Sequence, residues 1–246
     1  MPLGTEKIAL LGAAAPTWEW DLMDSNCSST SDGGSWTLGG GSAGGGCTQV
    51  TYDGQSTFKC DSGGNAVDGA NGWASLSLAN SDLSSATVWP DTFTVQTRIY
   101  LHTIGTHGSG ASNDQASIYL QTQQGGLGIL FTSPYPGSGP GAPYGTRNYW
   151  RGGGVYPPIG AITDNWVGAW HTFGIYVHDF QNSNPYVQWD AYGDGTLLKA
   201  NCYRTGTDPY NATFVFGQNG YANTHRISYI DWVRIGTGDG RSVLTA

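Results

Sequence analysis

Gln96, Arg98, Tyr100 and His102 stand at every second position of one segment, so in an extended strand all four share a face. Together they offer a cation that can neutralise a carboxylate and a base beside it that can take the adjacent proton. Those are the needs of elimination in a uronate polymer. A solvated outer face of a sheet carries the same residue types, and that plainer role is preferred here. A second group lies between Pro134 and Pro158, where Tyr135, Tyr144, Tyr149, Trp150 and Tyr156 are interleaved with Arg147, Asn148 and Arg151. Aromatic rings beside amide and guanidinium groups can stack on a sugar ring and hydrogen-bond its hydroxyls, and protein contacts use the same chemistry. Tyr144, Arg147, Asn148, Tyr149, Trp150, Arg151 and Tyr156 are therefore the candidate carbohydrate-binding or assembly contacts. The competing role is a loop that packs over a sheet edge and spends its aromatics on its own core.

Other constellations carry less. Gly40-Gly41-Ser42-Ala43-Gly44 has the letters of a nucleophile elbow, but that turn needs a strand before it and a helix after it, and here it sits in a glycine tract. His171 and His178 are seven apart, an odd spacing that puts them on opposite faces of a strand and prevents a shared metal. Asp61, Asn65 and Asp68 offer oxygen ligands for calcium without the spacing of a calcium loop, so no cofactor or metal is expected and calcium ligands are left unassigned. Cys27, Cys47, Cys60 and Cys202 contain no C-x-x-C pair, which removes a zinc site. At most one disulfide is expected, in the Cys27 to Cys60 region.

The background composition points to strands. The chain has 246 residues, of which 39 are Gly, while charged residues are only 11%. Its only glutamates are Glu6 and Glu19, and its only lysines are Lys7, Lys59 and Lys199. Scarcity of these strong helix formers argues against a helical protein, and abundant Thr, Tyr, Trp, Val and Ile favour strands. Net charge is −8 with scattered Arg, which gives no basic footprint for nucleic acid. No apolar run is long enough for a membrane helix.

Three segments are expected: an N-terminal arm or first strand over residues 1–20, a Gly/Ser-rich strand-and-loop segment packed on the main body over 21–72, and a β-sandwich over 73–246. The run Ile8 to Ala15 is at the lower limit of a signal-peptide core and lacks a positive flank, so an arm is preferred to a leader. Strands are expected at Gln49–Tyr52, Thr57–Cys60, Trp73–Ala79, Thr92–His102, Gln115–Thr122, Leu127–Thr132, Trp170–Asp179, Tyr186–Tyr192, Thr196–Ala200, Ala212–Gly217 and Ile227–Gly236. In the clearest, Phe93, Val95, Ile99 and Leu101 line one face, the signature of a half-buried antiparallel strand. Asp194-Gly195 marks a tight hairpin. Residues 133–162 read as irregular and no helix is convincing. The pattern predicts an all-β, two-sheet antiparallel sandwich.

Three segments sharpen that class. Trp170-His171-Thr172-Phe173-Gly174-Ile175-Tyr176-Val177, the hairpin Val187 to Leu198, and the terminal Ile230-Asp231-Trp232-Val233-Arg234-Ile235-Gly236 resemble strands of concanavalin A-like (laminin G-like) jelly rolls. With Phe93–Leu101 the resemblance covers roughly residues 73–236. It implies a jelly roll of two curved sheets, a fold that hosts both glycan binding and polysaccharide cleavage. Glycosidases of that superfamily use paired Glu, and both Glu here precede the jelly roll. Asp179, Asp190 and Asp194 are expected near strand ends or turns. Its lyases use Tyr, His, Arg and Gln, but the R-x-E-x-R and Q-I-H motifs of some alginate lyases are missing. The opening Met1 to Gly12 resembles the starts of tailed-phage virion proteins that carry such a domain. The expectation is thus a non-enzymatic structural or decorating protein of a virion or similar extracellular assembly. Its partners would be further copies of itself, other virion proteins and surface glycans, without nucleic acid or membrane insertion. A polysaccharide lyase and a free lectin-like module are the alternatives.

Overall fold

The computed structural model describes residues 18–32, 36–40, 45–61, 72–79, 89–104, 114–122, 125–132, 145–148, 166, 168–178, 180, 186–205, 213–220 and 226–246. In chain order its strands are β1 (Met23–Ser25), β2 (Thr37–Gly40), β3 (Gly46–Tyr52), β4 (Gln55–Asp61), β5 (Gly72–Ala79), β6 (Phe93–Ile104), β7 (Asp114–Thr122), β8 (Gly125–Thr132), β9 (Gly145–Asn148), β10 (Trp170–His178), β11 (Tyr186–Gly193), β12 (Thr196–Thr205), β13 (Thr213–Gly220) and β14 (Arg226–Thr237). One helical turn, α1 (Arg241–Leu244), follows.

Two antiparallel sheets form. Sheet A runs β12-β11-β10-β6-β14-β4-β3, and sheet B runs β2-β5-β13-β7-β8-β9. β14 shares its second edge between two short partners: Ile227 to Ile230 pairs with β4 and Val233 to Ile235 pairs with β1. Residues 21–72 thus supply strands to both sheets rather than a layer laid on them. The period-two segments fold as their patterns require. Phe93, Val95, Ile99 and Leu101 of β6 are buried, as are Phe173, Ile175 and Val177 of β10 and Trp189 and Ala191 of β11. They join Ile129 of β8 in one core between the sheets. Each large aliphatic or Phe side chain among them contributes about 1.5–3 kcal/mol by leaving water.

Several expectations are corrected. Part of the stretch read as irregular, Gly145–Asn148, is strand β9, paired with β8; a backbone partner there satisfies an edge that would otherwise be open. β12 continues past Ala200 to Thr205. It does so across an irregularity where Asn201 takes a positive φ of 52° and its N–H donates to the Asp190 carboxylate at 2.8 Å. Asp190 is accordingly buried within β11, not at a strand end. The expected single disulfide is Cys47–Cys60, directly opposed on β3 and β4 with Cα atoms 4.4 Å apart. Cys27 and Cys202 are buried in the core outside that disulfide, and burial pushes the Cys27 thiol well above its ordinary value, so it stays protonated and inert.

Candidate functional site

Gln96, Arg98, Tyr100 and His102 do share one side of β6, the outer face of sheet A, away from sheet B. Cross-strand register extends this row: Trp170 of β10 and Tyr229 of β14 both lie opposite Tyr100. Residues directly opposed on neighbouring strands project to the same side, so three rings stand in a line. Tyr100 and Trp170 pack edge-on at 5.5 Å.

A fourth ring arrives from the β3–β4 hairpin. Asp53 and Gly54 both take positive φ, 52° and 77°, which makes a tight two-residue turn suited to Asp-Gly. That tip lays Tyr52 over Tyr229, with centroids 3.7 Å apart and planes within 6°. It also places the Asp53 carboxylate to accept the indole N–H of Trp170 at 3.0 Å. Tyr52 meets Tyr100 edge-on at 5.2 Å and lies 6.4 Å from the exposed His102 ring. The Tyr52 side chain is only partly buried. Burial, then a hydrogen bond with Tyr100, pushes the Tyr52 hydroxyl up to about 12. It is a neutral phenol at physiological pH.

Arg98 is engaged twice. Its guanidinium lies over the Trp170 ring, 4.8 Å from the centroid, and its Nη1 donates to Asp231 Oδ2 at 2.7 Å. A bulge in β14 supplies that carboxylate. Ile230 faces Ile99 and Trp232 faces Arg98, leaving Asp231 as the extra residue between them. Such a bulge re-aims a side chain at the cost of a broken ladder. Thr97 Oγ1 repairs part of it by donating to the Trp232 carbonyl at 2.8 Å.

The opposite end of this outer face is roofed by the C-terminal strap. Thr94 Oγ1 donates to the Gly238 carbonyl at 3.0 Å, and Gln96 Nε2 donates to the Val243 carbonyl at 3.3 Å. Leu244 packs with Tyr176 and Tyr192 where Gly174 leaves space; a Cβ at Gly174 would overlap it. Arg241 lies over the Tyr176 ring at 4.8 Å and pairs with Asp239 at 2.6 Å. Gln96 is therefore spent on the strap, and only Arg98, Tyr100 and His102 of the original four border the ring cluster.

Of the loop candidates, Arg147 and Asn148 lie on β9 at the edge of sheet B, opposite Leu130 and Ile129. Tyr144, Tyr149, Trp150, Arg151 and Tyr156 lie outside the described residues, as do Asn65 and Asp68 and residues 1–17 of the arm. Asp61 pairs with Lys59 at 2.6 Å, and among the described residues no cluster of His, Cys, Asp or Glu could hold a metal. Trp18, within the segment expected as the arm, packs against Gly236 and Gly240 on the outer face of sheet A. Sequence reasoning missed Tyr52, Asp53, Tyr229 and the role of Asp231. Asp53-Gly54 carries the same tight-turn signal as Asp194-Gly195, and it could have flagged the hairpin though not where its tip lands.

No protein-family model matches the chain and no curated protein matches its sequence. Solved structures do match its shape. The metal-free Emp46p carbohydrate recognition domain superposes with a TM-score of 0.50 at 11% identity, over 91% of this chain and 99% of that one. The alginate lyase Aly36B in complex with alginate tetrasaccharide gives 0.52 at 11% identity, over 88% and 97%. Domain 4 of the extracellular arabinanase AbnA from Geobacillus stearothermophilus, in complex with arabinotriose, gives 0.52 at 13% identity, over 86% of each. The chain thus has an all-β, two-sheet antiparallel jelly-roll fold.

Proposed function

We propose that this chain is a non-catalytic glycan-binding domain that contacts its ligand at the Tyr52 end of the outer face of sheet A. The observation that carries this reading is the ring stack: Tyr52, only partly buried, lies flat on Tyr229 beside Trp170 and His102. An aromatic floor with few fixed polar groups at its margin is what saccharide and other small-ligand sites use. Here those groups are the Asp53 carboxylate and the Arg98 guanidinium. The carbohydrate recognition domain and the arabinotriose-bound domain among the structural neighbours support a fold suited to this role. An elimination catalyst is disfavoured because its cation, Arg98, is already paired with Asp231.

The test is a glycan array followed by titration calorimetry with the intact chain. Binding of an oligosaccharide that weakens about tenfold or more in Tyr52→Ala supports the reading, a ratio that corresponds to about 1.4 kcal/mol. An empty array, or a hit indifferent to Tyr52→Ala and abolished by Trp150→Ala, overturns this placement. Accumulation of unsaturated uronate product would overturn the non-catalytic assignment. A decorating role on a virion or other extracellular assembly is a separate proposal, supported by the opening residues and by the depletion of Lys and Glu. Deletion of residues 1–17 is then expected to leave a folded domain that no longer incorporates into particles.

A further inference from the structure

The margin of the ring cluster has an unusual charge arrangement. Arg98 keeps 36% of its side chain exposed, whereas Asp231 keeps 10%. A ligand therefore meets the guanidinium edge, while the carboxylate that cancels it lies beneath. The other charged groups nearby are engaged as well. Lys59, opposite Tyr229 on β4, pairs with Asp61 at 2.6 Å. Asp53 carries its negative charge on the hairpin tip, tied to a neutral indole N–H. Among Arg98, Lys59, Asp53, Asp61 and Asp231 there is one more carboxylate than cation, within a chain of net charge −8.

We infer that Asp231 sets the selectivity of this face for uncharged saccharides, by cancelling the guanidinium that would otherwise receive a uronate carboxylate. The inference rests on the glycan-binding reading. It follows from the bulge in β14: without the extra residue, the strand would present no carboxylate to Arg98, and the cation on Trp170 would be free. A sugar acid approaching the present face finds a neutralised cation and the Asp53 charge, and desolvates its carboxylate without a partner. A neutral sugar finds ring faces and polar edges at no such cost.

The experiment compares neutral hexasaccharides (xylan, mannan and arabinan series) with alginate and polygalacturonate hexasaccharides, using the full chain and two variants. The wild type is expected to bind a neutral member, with affinity unchanged between low and high salt, and to show no measurable uronate binding. Asp231→Asn is expected to gain uronate affinity by about tenfold or more, the ratio that one charge-assisted hydrogen bond supplies. That gain should fall with added salt and disappear in Arg98→Gln/Asp231→Asn. Circular dichroism and melting confirm that each variant folds. Uronate binding by the wild type that depends on Tyr52 overturns the inference and leaves the glycan-binding reading intact. A folded Asp231→Asn with no gain also overturns it. If Asp231→Asn does not fold, the wild-type selectivity and its salt dependence decide. No saccharide bound by any form overturns the underlying reading itself.

Discussion

Among the described residues the outer face of sheet A carries three Arg–Asp pairs laid on aromatic rings; Arg234 pairs with Asp24 over Trp232, and the other two stand at the hairpin end and the strap end. Arg98 pairs with Asp231 over Trp170, and Arg241 pairs with Asp239 over Tyr176. Their surroundings differ in what lies above the rings. At the strap end an aliphatic side chain, Leu244, fills the space that Gly174 leaves between Tyr176 and Tyr192, and it is only 2% exposed. At the hairpin end the cover is another aromatic ring, Tyr52, bordered by a carboxylate and an exposed imidazole. The first arrangement removes apolar area from water and locks the chain terminus. The second leaves Tyr52 only partly buried, with the Asp53 and His102 side chains exposed beside it. One pair therefore serves folding, and the other frames a surface.

Leu244→Ala should produce the largest effect, a loss of about 2–5 kcal/mol of stability from transfer and cavity terms together. Thermal or denaturant unfolding reads it, and glycan affinity measured below the transition should be unchanged. Tyr52→Ala should show the reverse pattern: about tenfold or more lost in affinity with a smaller shift in melting temperature, since the ring is only partly buried. Equal stability losses in both variants would erase the distinction drawn between the two ends.

The two ends should also answer pH in opposite directions. A hydrogen bond from Arg241 holds the Asp239 carboxyl below its ordinary value of 3.8. A lowered folded value means that its stabilising contribution is present above 3.8 and is lost as pH falls through the lower folded value. Hydrogen exchange at the Val243 and Leu244 amides, which donate to the Gly240 carbonyl, should quicken in that acid window, and Asp239→Asn should abolish the pH dependence. Tyr52 is raised from 10 to about 12, so its contribution is complete below 10 and is lost as pH rises through about 12. Ultraviolet titration of the phenolate, compared with Tyr52→Phe, should show this smallest effect. A Tyr52 that ionises near 10 would mean that the hairpin tip does not rest on the sheet.

Much of this was legible in the chain because it is local. The alternation at Phe93–Leu101 fixed which side of β6 enters the core, and the four polar residues on its other side do share a face. The Trp170 to Val177 strand and the Asp194-Gly195 turn lie where their patterns place them. The candidate face was legible only in part. Arg98, Tyr100 and His102 were visible as a set, yet nothing in their spacing shows that Asp231 neutralises one of them, because that contact depends on a bulge in a strand far along the chain. β9 was missed because its four residues pair only by virtue of β8 being an open edge beside them.

The sequence by itself determined the strand-forming character of the chain, the inward faces of its main strands, and the shortage of Glu that argues against a paired-Glu glycosidase. Side-chain alternation and turn chemistry act over a few residues, so they can be read directly. Tertiary structure alone decided that Tyr52 lands on Tyr229, that Leu244 seals one end of the outer face, and that Arg98 is charge-balanced. Those outcomes depend on strand order and register, which bring residues from distant segments within a few ångströms, and local propensity carries no record of them.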